Sequence, residues 1–176
     1  MKGTSWLAVI VLTGCVAIYA LGSATHAYRL AQLRKPVDDG LKAMPEAKRQ
    51  GVAVELSMGF YIANAAMLPD LCKAEGVDLT GYVHDFTQRY SADYDNARTV
   101  YTRLGGVESM LVADIHSATN TRGTFEHIVG TVAGLHGDKA HRADDCRSIM
   151  ARKDKVVDEM NFRELFPYAW GATGLP

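Results

Sequence analysis

The sequence has no excess of charge of one sign. Nineteen lysines and arginines face 20 aspartates and glutamates, which leaves a formal net charge of −1. Proteins that bind nucleic acid or anionic lipid through charge carry a clear basic excess. Binding to nucleic acid is therefore not expected. Charged residues still make up 22% of the chain, a share typical of a folded domain.

Recognisable catalytic motifs are also missing. The sequence contains no phosphate-binding glycine loop, no nucleophile elbow and no zincin helix. Its three cysteines form no CxxC pair, which argues against a zinc ribbon or a thioredoxin-like redox site. No catalytic residue, cofactor or metal ligand is predicted, and an enzyme of unrecognised class is kept only as an alternative.

Among the sequence features, the histidines are the most similar to a metal-binding or catalytic cluster. His136, His141 and Cys146 follow one another at five-residue steps, beside Asp144 and Asp145. Imidazole and thiolate suit zinc or copper, but five-residue spacing does not align ligands on one helix face. Histidines in a solvated loop are predicted instead of a metal site.

Two acid–histidine neighbours were considered for proton transfer. Asp114 lies near His116, and Glu126 precedes His127. Adjacent side chains on a helix point in different directions, and no nucleophile is tied to either pair. Neither pair is predicted to be catalytic.

The strongest positive feature is the uncharged, apolar run from Trp6 to Ala24. Lys2 precedes it and small residues follow it as far as Ala27, a pattern typical of a secretory signal cleaved after Ala24 or Ala27. The run is also close to the roughly 20 residues that span a bilayer. Residues 1–27 are therefore predicted to be a signal peptide or, alternatively, a membrane anchor that contacts the membrane through residues 6–24.

Two further observations concern this segment. Leu12-Thr13-Gly14-Cys15 resembles a bacterial lipoprotein box, but the apolar run continues beyond Cys15, where a polar tether is expected. The basic residues Arg29, Arg34 and Lys35 favour retention, because positive flanks of a membrane segment tend to stay in the cytoplasm. The cleaved signal is still the first choice.

A single cysteine pair lies beyond the apolar run. Cys72 and Cys146 belong to a chain with an export signal, and such a pair most simply forms a disulfide. The predicted compartment is accordingly the periplasm or the exterior, with the membrane as the alternative.

Helical periodicity dominates the rest of the chain. Residues 28–44, interrupted by Pro36 and Gly40, are interpreted as a linker or stem. Residues 45–176 predict an all-α domain, an antiparallel bundle of four to six helices, although β-branched residues make a strand possible over 124–135. Six residues on the inward-facing stripes are expected to be buried together: Phe60, Phe86, Tyr90, Leu111, Ile128 and Met150.

Function is predicted to reside in a surface. Tyr82, Tyr90, Tyr94 and Tyr101 share one helix. Tyr90, Tyr94 and Tyr101 are assigned to its core stripe, with a ligand groove or a partner surface on the tyrosine-rich face as the alternative. The C-terminal tail shows no helical period and is expected to contribute little to stability. It carries Tyr168 and Trp170, the candidate partner surface, although the tail could also dock on its own domain.

The composition and motifs together favour a binding protein. The prediction is an exported, non-enzymatic helical protein that binds another protein, as inhibitors, immunity proteins and accessory subunits do. The alternative is a structural subunit of a membrane complex, held by the N-terminal segment.

Overall fold

A computed structural model describes residues 26–117 and 119–176, without the side chains of 117–122. The apolar run of residues 6–24 and Cys15 lie outside the described residues. Within the described ranges the chain is helical and contains no strand, which confirms the all-α prediction. The strand considered over 124–135 is instead the later part of a helix and the turn after it.

Short connections join the helices, whose bounds are as follows: α1 His26–Ala43, α2 Glu46–Ile62, α3 Leu68–Ala74, α4 Thr80–Arg103, α5 Glu108–Ser117, α6 Thr119–Ala133, α7 Arg142–Ala151, α8 Lys153–Glu159, α9 Phe162–Leu165 and α10 Pro167–Thr173. A π-helical turn, Ala63–Met67, connects α2 to α3 without a break. Asn64 in this turn is fully buried, donates to the carbonyl oxygen of Phe60 at 2.9 Å and accepts from the Tyr82 hydroxyl at 2.7 Å. Its amide group is therefore paired inside the core.

The prediction of a linker or stem over residues 28–44 is wrong. This stretch is helix α1, with Pro36 inside it. Leu41 is fully buried, and Leu30, Leu33 and Val37 pack against the core. Their steps of three and four residues form an apolar stripe, and its burial outweighs the backbone hydrogen bond that a proline removes.

The continuous helix formed by α2, the π-helical turn and α3 is central to the core. It packs against α4 and α10. Four of the six predicted core residues are buried, namely Phe60, Phe86, Tyr90 and Leu111. Ile128 and Met150 are only partly buried and lie against the core. The adjacent residues Val129 and Ile149 are buried.

The central helix also meets the length and hydropathy of a membrane span. Over Glu46–Ala74 its mean hydropathy reaches 1.4 in the best window of 18 residues. Within the protein, 56% of that window is buried, and the core helix of a soluble protein passes the same test. The segment is thus weak evidence for membrane insertion.

The predicted disulfide between Cys72 and Cys146 is present. It joins α3 to α7, and the Cα atoms of the two cysteines are 5.5 Å apart. Both residues are buried. The bond fixes the last turn of the central helix to the helix that begins at Arg142.

The connection between α6 and α7 is held by polar contacts. The Asp145 carboxylate accepts the backbone N–H of Gly137 at 2.7 Å and that of His136 at 3.3 Å. Glu126 on α6 binds the Arg142 guanidinium through both carboxylate oxygens, one contact being 2.9 Å. The loop is therefore tied to α7, and α7 is tied to α6.

Two glycines allow this connection to approach α6 closely. A Cβ atom on Gly130 would lie 2.5 Å from the backbone nitrogen of Gly137 and nearer still to its Cα atom. Gly137 also has a φ of +69°, a conformation that side chains other than glycine rarely adopt. Backbone contact between α6 and the loop thus requires that neither Gly130 nor Gly137 carries a Cβ atom.

A candidate protein-binding surface

The C-terminal tail is a helix that packs on its own domain. Pro167 begins α10, and Gly174, with a φ of +72°, ends it. Ala169 and Thr173 are fully buried, and the Gln50 side chain donates to the carbonyl oxygen of Thr173 at 2.9 Å. Of the two positions considered for the tail, docking on its own domain is the one observed.

Tyr168 and Trp170 lie on opposite flanks of α10. Two residues along an α-helix correspond to a rotation of about 200°, so their side chains diverge around the buried Ala169. The Lys42 ammonium lies 4.9 Å from the centre of the Tyr168 ring, and the Arg163 guanidinium lies 4.3 Å from that of Trp170. The structure therefore does not join the two predicted residues into one patch.

Arg163 is the residue that sequence reasoning missed. Its guanidinium binds the Asp93 carboxylate of α4 through two contacts, Nη2 to Oδ1 at 2.6 Å and Nε to Oδ2 at 3.2 Å. Its side chain keeps 41% of its area exposed. With Trp170 on one face and Asp93 at one edge, the guanidinium is fixed while its other N–H groups remain available.

Aromatic rings from α2 and α4 continue this surface next to Trp170. Tyr61 stacks on Tyr94 with 4.3 Å between the ring centres, and Tyr94 donates a hydrogen bond to the Glu108 carboxylate. The cavity below Trp170 measures about 20 Å³, space for one water molecule and for no larger ligand. The site is therefore a surface rather than a pocket. We call Trp170, Arg163, Asp93, Tyr94 and Tyr61 the Trp170 surface.

The other tyrosines of α4 are mainly structural. Tyr90 donates to the carbonyl oxygen of Val157 at 2.8 Å, and Tyr82 is fully buried against Asn64. Tyr101 is partly buried against the core, and burial raises the pKa of its hydroxyl. The assignment of Tyr90, Tyr94 and Tyr101 to the core stripe holds for Tyr90, which is buried. Tyr94 and Tyr101 are only partly buried, and Tyr94 extends to the Trp170 surface.

A second concave feature is an open groove between α3 and the start of α4. Its volume is about 790 Å³, and Leu79, Val83, Pro69 and Ala65 supply its apolar lining. Asp70, Lys73, Asp78 and His84 contribute charged or ionisable groups of both signs. These groups do not form a set of hydrogen-bond donors that converge on one point. The groove could not be predicted from the sequence, because it is created by the turn between the two helices.

The polar residues considered for chemistry are mostly engaged elsewhere. Cys146 is in the disulfide, and Glu126 holds Arg142. His127 is half-buried, and desolvation lowers the pKa of its imidazole. The side chains of Asp114 and His116 are exposed. Among the described residues no group of three or more metal-ligating side chains is found.

His136 and His141 are the exception, because the structure brings them together. Their rings are stacked, with 4.0 Å between centres and 12° between planes. The prediction of solvated loop histidines does not include this contact, which depends on the turn between the two residues.

Comparison of the chain with family models, with characterised proteins and with solved structures finds no match.

Proposed function

We propose that this chain is an exported, non-enzymatic protein that binds another protein through the Trp170 surface. The observation that carries the proposal is the fixed position of Arg163 between Trp170 and Asp93. Tryptophan, tyrosine and arginine are the side chains that contribute most often to binding hot spots. Side chains already held in place lose less entropy on binding, so this surface suits a partner contact.

Export rests on two independent features. The apolar run from Trp6 to Ala24 has the pattern of a secretory signal, and the Cys72–Cys146 disulfide is a bond that persists in oxidising compartments. A periplasmic or secreted protein with the proposed antiparallel bundle would resemble inhibitors, immunity proteins and accessory subunits in physical character.

The alternative is a subunit of a membrane complex whose N-terminal segment is retained. Helix α1 already includes His26, two residues after the apolar run, and packs on the domain. A retained segment would then leave almost no spacer between the bilayer and the folded domain. Such a subunit would work at the membrane surface.

The mass of the native protein separates these possibilities. The His26 imidazole lies 3.1 Å from the carbonyl oxygen of Thr131 and 2.9 Å from that of Val132, contacts that cleavage after Ala27 would remove. We therefore expect cleavage after Ala24 and an intact mass for a chain that begins at Thr25, with no thiol available to an alkylating agent. A chain that begins at Met1 would favour the anchored subunit, and a lipid on Cys15 would show a lipoprotein.

Site-specific photo-crosslinking tests the proposed surface. Pro167, the first residue of α10, is exposed and lies three residues before Trp170, so the two positions are neighbours on the helix surface. A Cβ atom on Gly123 of α6 would meet no atom within 4 Å. A photoreactive residue is therefore expected to be tolerated at both positions. In cells that make the protein naturally, we expect one defined protein adduct from position 167 and none from the matched position 123, as measured by mass spectrometry.

Substitutions on the two flanks of α10 identify the surface responsible. Trp170→Ala is expected to abolish the adduct from position 167, while Tyr168→Ala, on the opposite flank, should leave it unchanged. Equal labelling from positions 167 and 123, or an adduct that survives Trp170→Ala, would contradict the proposal. Deletion of the tail is unsuitable, because the burial of Ala169 and Thr173 makes a loss of stability certain to accompany it.

A further inference from the structure

We propose that His136 and His141 form a two-imidazole binding site for a divalent transition-metal ion such as Zn²⁺. The two rings lie in the connection between α6 and α7 and are stacked at 4.0 Å. Their side chains are 58% and 45% exposed, so an ion can reach them from solvent. The proposal does not depend on the Trp170 surface.

Each imidazole is oriented by a carboxylate. Nδ1 of His136 lies 3.1 Å from Oδ1 of Asp145, and Nδ1 of His141 lies 2.9 Å from Oδ1 of Asp138. The hydrogen bond from His141 lowers the pKa of Asp138, which keeps this carboxylate ionised. Because an ionised carboxylate only accepts hydrogen bonds, Nδ1 of each neutral ring carries the proton and Nε2 keeps its lone pair.

In many proteins a histidine that binds a metal donates its other ring N–H to a carboxylate, as in these pairs. The carboxylate fixes the tautomer and the ring orientation, and it makes the free nitrogen a better ligand. Here two such pairs are adjacent. Imidazole nitrogen suits Zn²⁺, Cu²⁺ and Ni²⁺ better than the hard cations Ca²⁺ and Mg²⁺, which selects the class of ion.

The backbone around the two histidines is fixed before any ion binds. Asp145 holds the N–H groups of His136 and Gly137 and is followed in the chain by Cys146 of the disulfide. Binding then requires only that the parallel rings open enough for the two lone pairs to converge. Two protein ligands leave the remaining positions of the ion to water or to a side chain of a bound partner.

Calorimetric titration of the metal-free full chain with zinc chloride tests this site. All variants carry Cys15→Ser, which removes the cysteine outside the disulfide. We expect one equivalent of Zn²⁺ to bind, and no binding after His136→Gln or His141→Gln. Asp138→Asn, an exposed substitution, should weaken binding roughly tenfold, as loss of an orienting carboxylate typically does.

His84→Gln provides the matched control. His84 is 72% exposed and lies 3.0 Å from the Asp85 carboxylate, but no second imidazole among the described residues stacks on it. We expect this variant to bind Zn²⁺ as its parent does. The proposal is overturned if the parent takes up no Zn²⁺, if either glutamine variant at position 136 or 141 binds like the parent, or if His84→Gln abolishes binding.

Discussion

Replacing Cys72 and Cys146 together with alanine is expected to lower the free energy of unfolding by about 4 kcal/mol. The two cysteines are 74 residues apart in the sequence, and a bond that closes a loop of this length removes much of the entropy of the unfolded chain. For a domain of this size the loss corresponds to a decrease of about 10 °C in Tm. Thermal unfolding followed by circular dichroism measures it.

Reduction provides the control for this experiment. A reducing agent should lower the Tm of the parent to nearly that of the double variant and should leave the double variant itself unchanged. If the double variant unfolds at the same temperature as the oxidised parent, the bond does not stabilise the fold as proposed.

Gly130→Ala is the second substitution expected to have a large effect, a destabilisation of about 3 kcal/mol. The new methyl group would lie 2.5 Å from the backbone nitrogen of Gly137, and backbone cannot rotate away as a flexible side chain can. Either α6 or the loop must move, which would disturb the contacts of Asp145 and Arg142. Chemical denaturation of the purified variant gives the change in unfolding free energy.

Gly123→Ala, in the same helix, is the matched control. A Cβ atom at this position meets nothing within 4 Å, and alanine is the better helix former by up to about 1 kcal/mol. We expect Gly123→Ala to be neutral or stabilising. If both alanine variants have the same stability, the close approach of Gly130 to Gly137 is not a constraint on the fold.

The fold class was predictable because the spacing of apolar residues indicates which side chains are buried. Phe60, Phe86 and Leu111 occur at helical steps and are buried. Helix α1 is not predicted from the sequence because it contains Pro36 and Gly40, although its apolar stripe ends at Leu41. Proline and glycine lower the intrinsic tendency to form a helix, but the burial of Leu41 in the core depends on contacts far away in sequence.

The binding surface was predictable only in part. Trp170 could be singled out by residue type, because tryptophan is among the side chains most often found in binding hot spots. The contribution of Arg163 could not, since it depends on Asp93, 70 residues away, and on the fold of α10. The stacking of His136 on His141 was likewise hidden, because it is created by a turn and not by helical spacing.

The π-helical turn at Ala63–Met67 makes the position of Cys72 tolerant to a change of one residue in the length of the central helix. A turn of this kind holds one residue more than a regular α-helix needs, so deleting one residue from it would restore regular winding and leave the residues that follow facing the same way. Cys72 would still meet Cys146. The same deletion in the regular helix between Leu68 and Cys72 would instead rotate Cys72 by about 100° around the helix axis and shift it by about 1.5 Å, and the two sulfurs could not bond. A homologous chain shorter by one residue within the π-helical turn could therefore keep the crosslink.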